Sequence, residues 1–174
     1  DRDGKLLLTI NGNGPSGWYV VRVLPSGQAD PTFGVDGRAP YDTGLFPALA
    51  VDAADRILVT TNDGFTRLLP DGTSDPTFGP GGSGIADVRL MLTSGWSCQS
   101  FFGCPSAVGP DGSIYLAGRS SVPGGTTPAI AVLDADATSV EVRRWACSSA
   151  LPNPCGDIVS LFATSEGAGR LHFV

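Results

Sequence analysis

An internal repeat constrains the fold of this chain more than any other feature of its sequence. Residues 24–34 read Leu-Pro-Ser-Gly-Gln-Ala-Asp-Pro-Thr-Phe-Gly, and residues 69–79 read Leu-Pro-Asp-Gly-Thr-Ser-Asp-Pro-Thr-Phe-Gly. Eight of these eleven positions are identical at an offset of 45 residues. A chain that repeats such a segment builds similar structural units that pack against one another.

A second repeat, in which a turn is followed by an apolar run, has a longer period. Its apolar runs begin 51, 57 and 57 residues apart, at Leu6, Ile57, Ile114 and Leu171. Periods near fifty residues are typical of β-propeller blades with four strands each. We therefore predict an all-β fold, a β-propeller of four-stranded antiparallel blades that is incomplete in this chain.

The unit boundaries and strands follow from the two repeats. Units are expected near residues 1–45, 46–97, 98–156 and 157–174, about three and a half blades at this period. The 24 glycines and 14 prolines indicate many short elements joined by tight turns. Predicted strands of the second unit are 48–52, 56–61, 65–69 and 84–90. Those of the third are 106–109, 113–118, 129–133 and 140–145, which leaves 120–128 as a loop.

The eleven-residue segment has a structural interpretation. Asp30 and Asp75 are placed to accept hydrogen bonds from backbone N–H groups just downstream, as in an Asx-turn. Phe33 and Phe78 recur at one place, and we expect them to fill the space between blades. Because repeated residues indicate architecture, neither aspartate is predicted to be catalytic.

Two arginines also occupy equivalent places, in the third strand of each unit. Arg22 and Arg67 are open to two interpretations, a ring that binds anions or cover for the blade surface with pairing to local carboxylates. Because the third unit has Ala131 at this place, we favour the structural interpretation.

Together, the turn, the apolar run and the Leu-Pro-x-Gly-x-x-Asp-Pro-Thr-Phe-Gly segment resemble the delta-60 repeat family of bacterial propeller-like proteins. Two copies match this pattern, a third matches in its first half, and residues 169–174 begin a fourth. The resemblance implies a β-propeller within a large bacterial surface or secreted protein. It implies no catalytic residues.

Charge and composition exclude several classes of partner. The net charge of −6 opposes binding to nucleic acid and to anionic membrane surfaces. No apolar run approaches the roughly 20 residues of a membrane span, so no membrane insertion is expected. The single histidine, His172, lies in a strand-like run without a nucleophile in a catalytic pattern. We predict no enzyme activity, no metal and no cofactor.

The four cysteines predict disulfides, because they are even in number and form no Cys-x-x-Cys pair. Trp96-Ser97-Cys98 and Trp145-Ala146-Cys147 recur 49 residues apart, and Cys104 and Cys155 recur 51 apart. Of the three possible connectivities, the simplest is Cys98–Cys104 with Cys147–Cys155. This predicts a secreted, extracellular or cell-surface location, with the periplasm as an alternative.

The predicted binding site lies in these two disulfide-closed loops. Blade topology places them on one face with the loops 11–17, 62–64 and 120–128, and the predicted ligand-binding residues are Trp96, Phe101, Phe102 and Trp145. We predict a non-catalytic binding or scaffold module that contacts protein or glycan at the cell surface. The alternative is a fragment of a propeller enzyme whose catalytic residues lie in other blades. Other blades of a longer chain, or other copies, are expected to close the ring.

Overall fold

A computed structural model describes residues 3–12, 17–41, 47–61, 64–87, 91–92, 95–97 and 105–144, and the strand positions 161–163 and 171–173. The fold is all-β, and every named strand pairs in an antiparallel manner. Within these residues, no helix is long and apolar enough to cross a membrane.

The strands form successive antiparallel sheets. The first sheet contains β1 (Leu6–Asn11), β2 (Trp18–Val23) and β3 (Arg38–Pro40). The second contains β4 (Ala48–Val51), β5 (Ile57–Thr60), β6 (Gly64–Leu68) and β7 (Ile85–Asp87). The third contains β8 (Trp96–Ser97), β9 (Ser106–Val108), β10 (Ile114–Val122), β11 (Gly125–Leu133) and β12 (Val140–Arg144). A final pair is β13 (Leu161–Ala163) with β14 (Leu171–Phe173).

The second sheet has the order β4-β5-β6-β7, which confirms the four strands predicted for this unit. Its strand sequences are short and rich in Val, Ile, Leu and Thr, as half-buried strands require. The innermost strands of successive units lie side by side, because β9 contacts both β4 and β13. The sheets are therefore arranged in chain order around a common side.

The prediction of a loop at residues 120–128 is wrong. Strands β10 and β11 continue through this segment, and Val122 pairs with Gly125 around a turn at Pro123 and Gly124. The pairing of Ser120 with Trp96 of β8 adds a third strand to the extension. Glycines and hydroxyl side chains suggested a loop, but cross-strand pairing on both edges of β10 stabilises a hairpin.

Two apolar clusters join the sheets. Phe33 is fully buried with Ile57 and Leu68, which places it between the first and second sheets. Phe78 is fully buried with Ile114 and Leu133, between the second and third sheets. Both phenylalanines therefore fill the space between successive sheets, as predicted.

Candidate functional site

The hairpins and the repeated turns lie at opposite ends of the sheets, because successive connections of an antiparallel sheet alternate between its ends. The hairpin end carries the β1–β2, β5–β6 and β10–β11 connections. The repeat-turn end carries the turns at residues 24–28, 69–73 and 134–139.

A buried arginine organises the repeat-turn end of the second sheet. Arg67 Nε donates to Asp75 Oδ2 over 2.7 Å, and both residues are buried. The guanidinium carbon lies 4.5 Å from the centroid of the Phe78 ring. Its terminal nitrogens reach the third sheet, where Nη1 donates to the Ala135 carbonyl and Nη2 donates to Asp136 Oδ1 over 2.8 Å. Arg67 therefore connects the second sheet to the third.

Arg22 makes the equivalent contacts one unit earlier. Its Nε donates to Asp30 Oδ2 over 2.9 Å, its guanidinium carbon lies 4.6 Å from the Phe33 ring centroid, and its Nη1 donates to the Pro70 carbonyl of the second sheet. The predicted pairing of these two arginines with local carboxylates is confirmed, whereas their predicted position on the blade surface is wrong, because Arg22 and Arg67 are 7% and 3% exposed. The bonds that they make to the following sheet were not predicted.

The aspartates of these pairs are held in their charged form. The hydroxyl and backbone N–H of Thr32, both donating to Oδ1, lower the pKa of Asp30 well below its usual range, and nearby cations add to this. Burial is the largest influence on Asp75 and raises its pKa. Hydrogen bonds from Thr77 and the charge of Arg67 outweigh burial, so the pKa of Asp75 is lowered overall. The predicted Asx-turns are present at both aspartates.

A small open cleft lies at the repeat-turn end, between the second and third sheets. Arg56 and Arg67 line it, and both are paired with carboxylates. Arg56 Nε lies 2.7 Å from Asp52 Oδ2, and Arg67 pairs with Asp75. Because neighbouring carboxylates neutralise these cations, the cleft has the character of a structural interface rather than of an anion site.

The part of the chain that the structure describes contains no group of three or more His, Cys, Asp or Glu side chains that could hold a metal ion. Its aspartates serve mainly as turn caps. Asp134 Oδ1, for example, accepts from the backbone N–H groups of Thr138 and Ser139 over 2.6 and 3.1 Å.

The hairpin end is built differently, around the extended β10–β11 hairpin. Each of these strands has nine residues, against four in β5 and five in β6. Arg119 Nε donates to Thr126 Oγ1 across the hairpin over 2.8 Å, and Arg144 Nε donates to Ser120 Oγ over 2.9 Å. The sequence did not point to Arg119 or Arg144, because strand register decides that both lie beside the extended β10–β11 hairpin.

Trp96 is the one predicted ligand-binding residue within the described residues. It is partly buried and packs against the apolar cluster between the second and third sheets. Its Nε1 is buried and has no hydrogen-bond partner there. Gly118 makes room for the indole, because a Cβ on this glycine would lie 2.5 Å from Trp96 Cζ2. Trp96 therefore contributes to packing between the second and third sheets.

The described residues on either side of segment 98–104 both pair with β10. Ser97 pairs with Arg119, and the Pro105 carbonyl accepts from the backbone N–H of Ala117 over 2.9 Å. These two attachment points are two residues apart on one strand, roughly 7 Å. Cys98 and Cys104 directly adjoin Ser97 and Pro105 in the sequence.

The other predicted site residues lie outside the described residues, namely Cys98, Phe101, Phe102, Cys104, Trp145, Cys147 and Cys155. Their binding and disulfide roles stay predictions. Ser97 and Pro105, the described residues that flank segment 98–104, both contact β10.

Comparison with known families adds support for the fold. A family model described as a domain of unknown function (DUF5122) beta-propeller matches residues 2–33. The match ends at Phe33 and includes Arg22 and Asp30, so it covers the residues that join the first sheet to the second. Neither curated proteins nor solved structures gave a match.

Proposed function

We propose that the chain is a non-catalytic binding or scaffold module of a secreted or cell-surface bacterial protein, built as part of a β-propeller. Its ligand is a protein or a glycan, and the binding surface is the hairpin end. Trp96, Phe101, Phe102 and Trp145 are the proposed contact residues.

The observation that carries this proposal is the difference between the two ends. At the repeat-turn end, the buried charges of Arg22 and Arg67 are used to join sheets. At the hairpin end, by contrast, β10 and β11 are longer than the corresponding strands β5 and β6 of the second sheet. Strand β8 pairs with the extended part of β10. Loops fixed on a rigid scaffold are where binding residues concentrate. Aromatic side chains are common interface anchors.

A local disulfide is part of the proposal. The flanks of segment 98–104 are attached about 7 Å apart on β10, which suits a short loop closed between Cys98 and Cys104. Peptide mass mapping under non-reducing conditions should find Cys98 linked to Cys104. A Cys98–Cys147 link, or free thiols in protein from an oxidising host compartment, would remove this support for secretion.

The binding proposal is tested with the biotinylated chain on a glycan array and on a phage-displayed peptide library. Any ligand found is then titrated as the free compound against Phe101→Ala and Phe102→Ala variants. Truncation of an aromatic anchor typically costs about 2 kcal/mol or more, roughly thirtyfold in affinity.

The matched control is Gln28→Ala, an exposed change at the repeat-turn end that should leave affinity unchanged. Circular dichroism of each variant verifies the fold. If neither screen yields a ligand, or if both Phe variants bind as the parent does, the hairpin end is not the binding surface.

A further inference from the structure

The second and third sheets each receive the same set of contacts from the sheet before them. The contributing sheet supplies an arginine, a phenylalanine and the backbone N–H of a glycine. The receiving sheet supplies two apolar residues of its second strand, the paired residue of its third strand, and the turn that follows. We call these receiving positions the docking face. In the second sheet they are Ile57 and Val59 of β5, Leu68 of β6, and the turn at residues 69–73.

The second and third sheets have covered docking faces. In the second sheet, Ile57 and Val59 are 2% and 0% exposed beneath Phe33, and the Asp71 carbonyl accepts from the Gly34 N–H over 2.7 Å. In the third sheet, the equivalent residues are Ile114 and Leu116, at 2% and 1% exposed.

The turns of these two docking faces are covered as well. A Cβ on Gly72 would lie 3.0 Å from Cε2 of the Phe33 ring. Its equivalent, Ala137, is 0% exposed and lies in the cluster with Phe78. The Asp136 carbonyl accepts from the Gly79 N–H over 2.8 Å.

The first sheet has the same docking face without the cover. Leu6 pairs with Val23 as Ile57 pairs with Leu68, so Leu6 and Leu8 occupy the places of Ile57 and Val59. Leu6 is 57% exposed and Leu8 is 41% exposed. The turn equivalent of Gly72 is Gly27, which is also exposed; a Cβ built on it has nothing within 4 Å.

We propose that this face of the first sheet is a docking surface for a further repeat unit from outside residues 1–174. That unit carries a third-strand arginine and an Asp-Pro-Thr-Phe-Gly segment. Its phenylalanine packs on Leu6, Leu8 and Gly27, and its arginine donates to the Pro25 carbonyl. Its glycine N–H donates to the Ser26 carbonyl. The proposal does not depend on what the hairpin end binds.

A second copy of this chain does not fit the surface. In that copy, both Asp-Pro-Thr-Phe-Gly segments already pack between the copy's own sheets, because Phe33 and Phe78 are each 0% exposed. The third unit has Ala131 in the arginine position and lacks the segment. The unit that fits therefore comes from a chain segment with the arginine and the phenylalanine still uncovered.

The chain supplies its own test unit. Residues 1 and 52 are both aspartates that precede equivalent apolar runs at an offset of 51 residues, so a second copy of residues 1–51 placed directly before Asp1 continues the repeat in register. In this tandem variant, the added copy of β4 is positioned to pair with β1, and the added Phe33 is positioned over Leu6 and Leu8. The matched control is the same fusion with Arg22→Ala and Phe33→Ala in the added copy alone.

The measurement is hydrogen exchange followed by mass spectrometry. In both fusions it follows the peptide that runs from the added Val51 through Asp1 into the original β1, because the sequence of β1 alone occurs twice there. We expect exchange to slow roughly tenfold or more in the tandem variant relative to the parent chain, and much less in the control. A Leu8→Asp change at the original position should be tolerated in the parent chain. In the tandem variant, the same Leu8→Asp change should remove the slowing of exchange in β1. Exchange in β5 and β6 reports whether each protein is folded.

Unchanged exchange in β1 of the folded tandem variant would overturn the proposal. So would equal protection in the control, because the arginine and the phenylalanine would then contribute nothing. Sedimentation of the parent chain gives the third test. A dimer that protects β1 would show that a second copy, rather than a further repeat unit, covers this face.

Discussion

Truncation of Phe78 to alanine tests whether the repeated phenylalanines hold the sheets together. The side chain is 0% exposed and packs with Leu58 of the second sheet and with Ile114 and Leu133 of the third. Buried Phe→Ala changes typically cost about 3–5 kcal/mol. Arg67 also loses the ring beneath its guanidinium, worth about 1 kcal/mol. We therefore expect the free energy of unfolding to fall by an amount near the top of that range. This is a large part of the unfolding free energy of a typical domain, which is about 5–15 kcal/mol.

The assay is urea unfolding followed by far-ultraviolet circular dichroism and by tryptophan fluorescence. Phe33→Ala should cost a similar amount, because it occupies the equivalent place between the first and second sheets. Val35→Ala is the control, since Val35 is 75% exposed and its truncation should change stability by less than about 0.5 kcal/mol. A Phe78→Ala loss no larger than that of Val35→Ala would refute the argument.

Three further predictions concern titration, a close approach and a buried hydroxyl. Folding lowers the pKa of Asp30 and Asp75 below the ordinary value of 3.8. Their contribution to the free energy of unfolding is therefore complete above pH 3.8, and it is lost as the pH falls through the pKa values of the folded protein. Urea unfolding should therefore show lower stability at about pH 3 than at about pH 6, and Asp75→Asn should weaken this dependence. Gly118→Ala should displace the Trp96 indole and cost about 1–3 kcal/mol, with a shift in fluorescence; unchanged fluorescence and stability would contradict the packing. Burial raises the pKa of Tyr41 to about 12, and its hydroxyl has no hydrogen-bond partner among the described residues. Tyr41→Phe should thus leave stability unchanged or raise it by up to about 1 kcal/mol, and a clear loss in thermal unfolding would contradict this.

The sequence was a reliable guide where the repeat is strong. The four strands of the second sheet, the Asx-turns at Asp30 and Asp75, and the buried places of Phe33 and Phe78 were all predicted from it. Each depends on local turn chemistry or on periodic apolar residues, which neighbouring residues in the chain already specify. Two copies of the segment, identical at eight of eleven positions, also gave the same result twice, which strengthens each prediction.

The sequence was a poor guide where a contact joins distant residues. The segment 120–128 has loop-like composition, yet Ser120 lies between Thr127 and Trp96 in a three-stranded extension. Nothing near Arg144 in the chain indicates its bond to the hydroxyl of Ser120. Strand register decides such pairs, and register is set by pairing across the whole sheet.

The all-β class, the repeated units and the residues that recur between them can be predicted from the sequence alone. The direction of the contacts, in which Arg22 and Arg67 each reach the sheet that follows, depends on how the sheets pack. The packing of the sheets also decides which equivalent positions are covered, since Leu6 is exposed where Ile57 is buried. The physical reason is that an apolar pattern specifies that a residue is to be buried, whereas burial itself requires a second surface in contact with it.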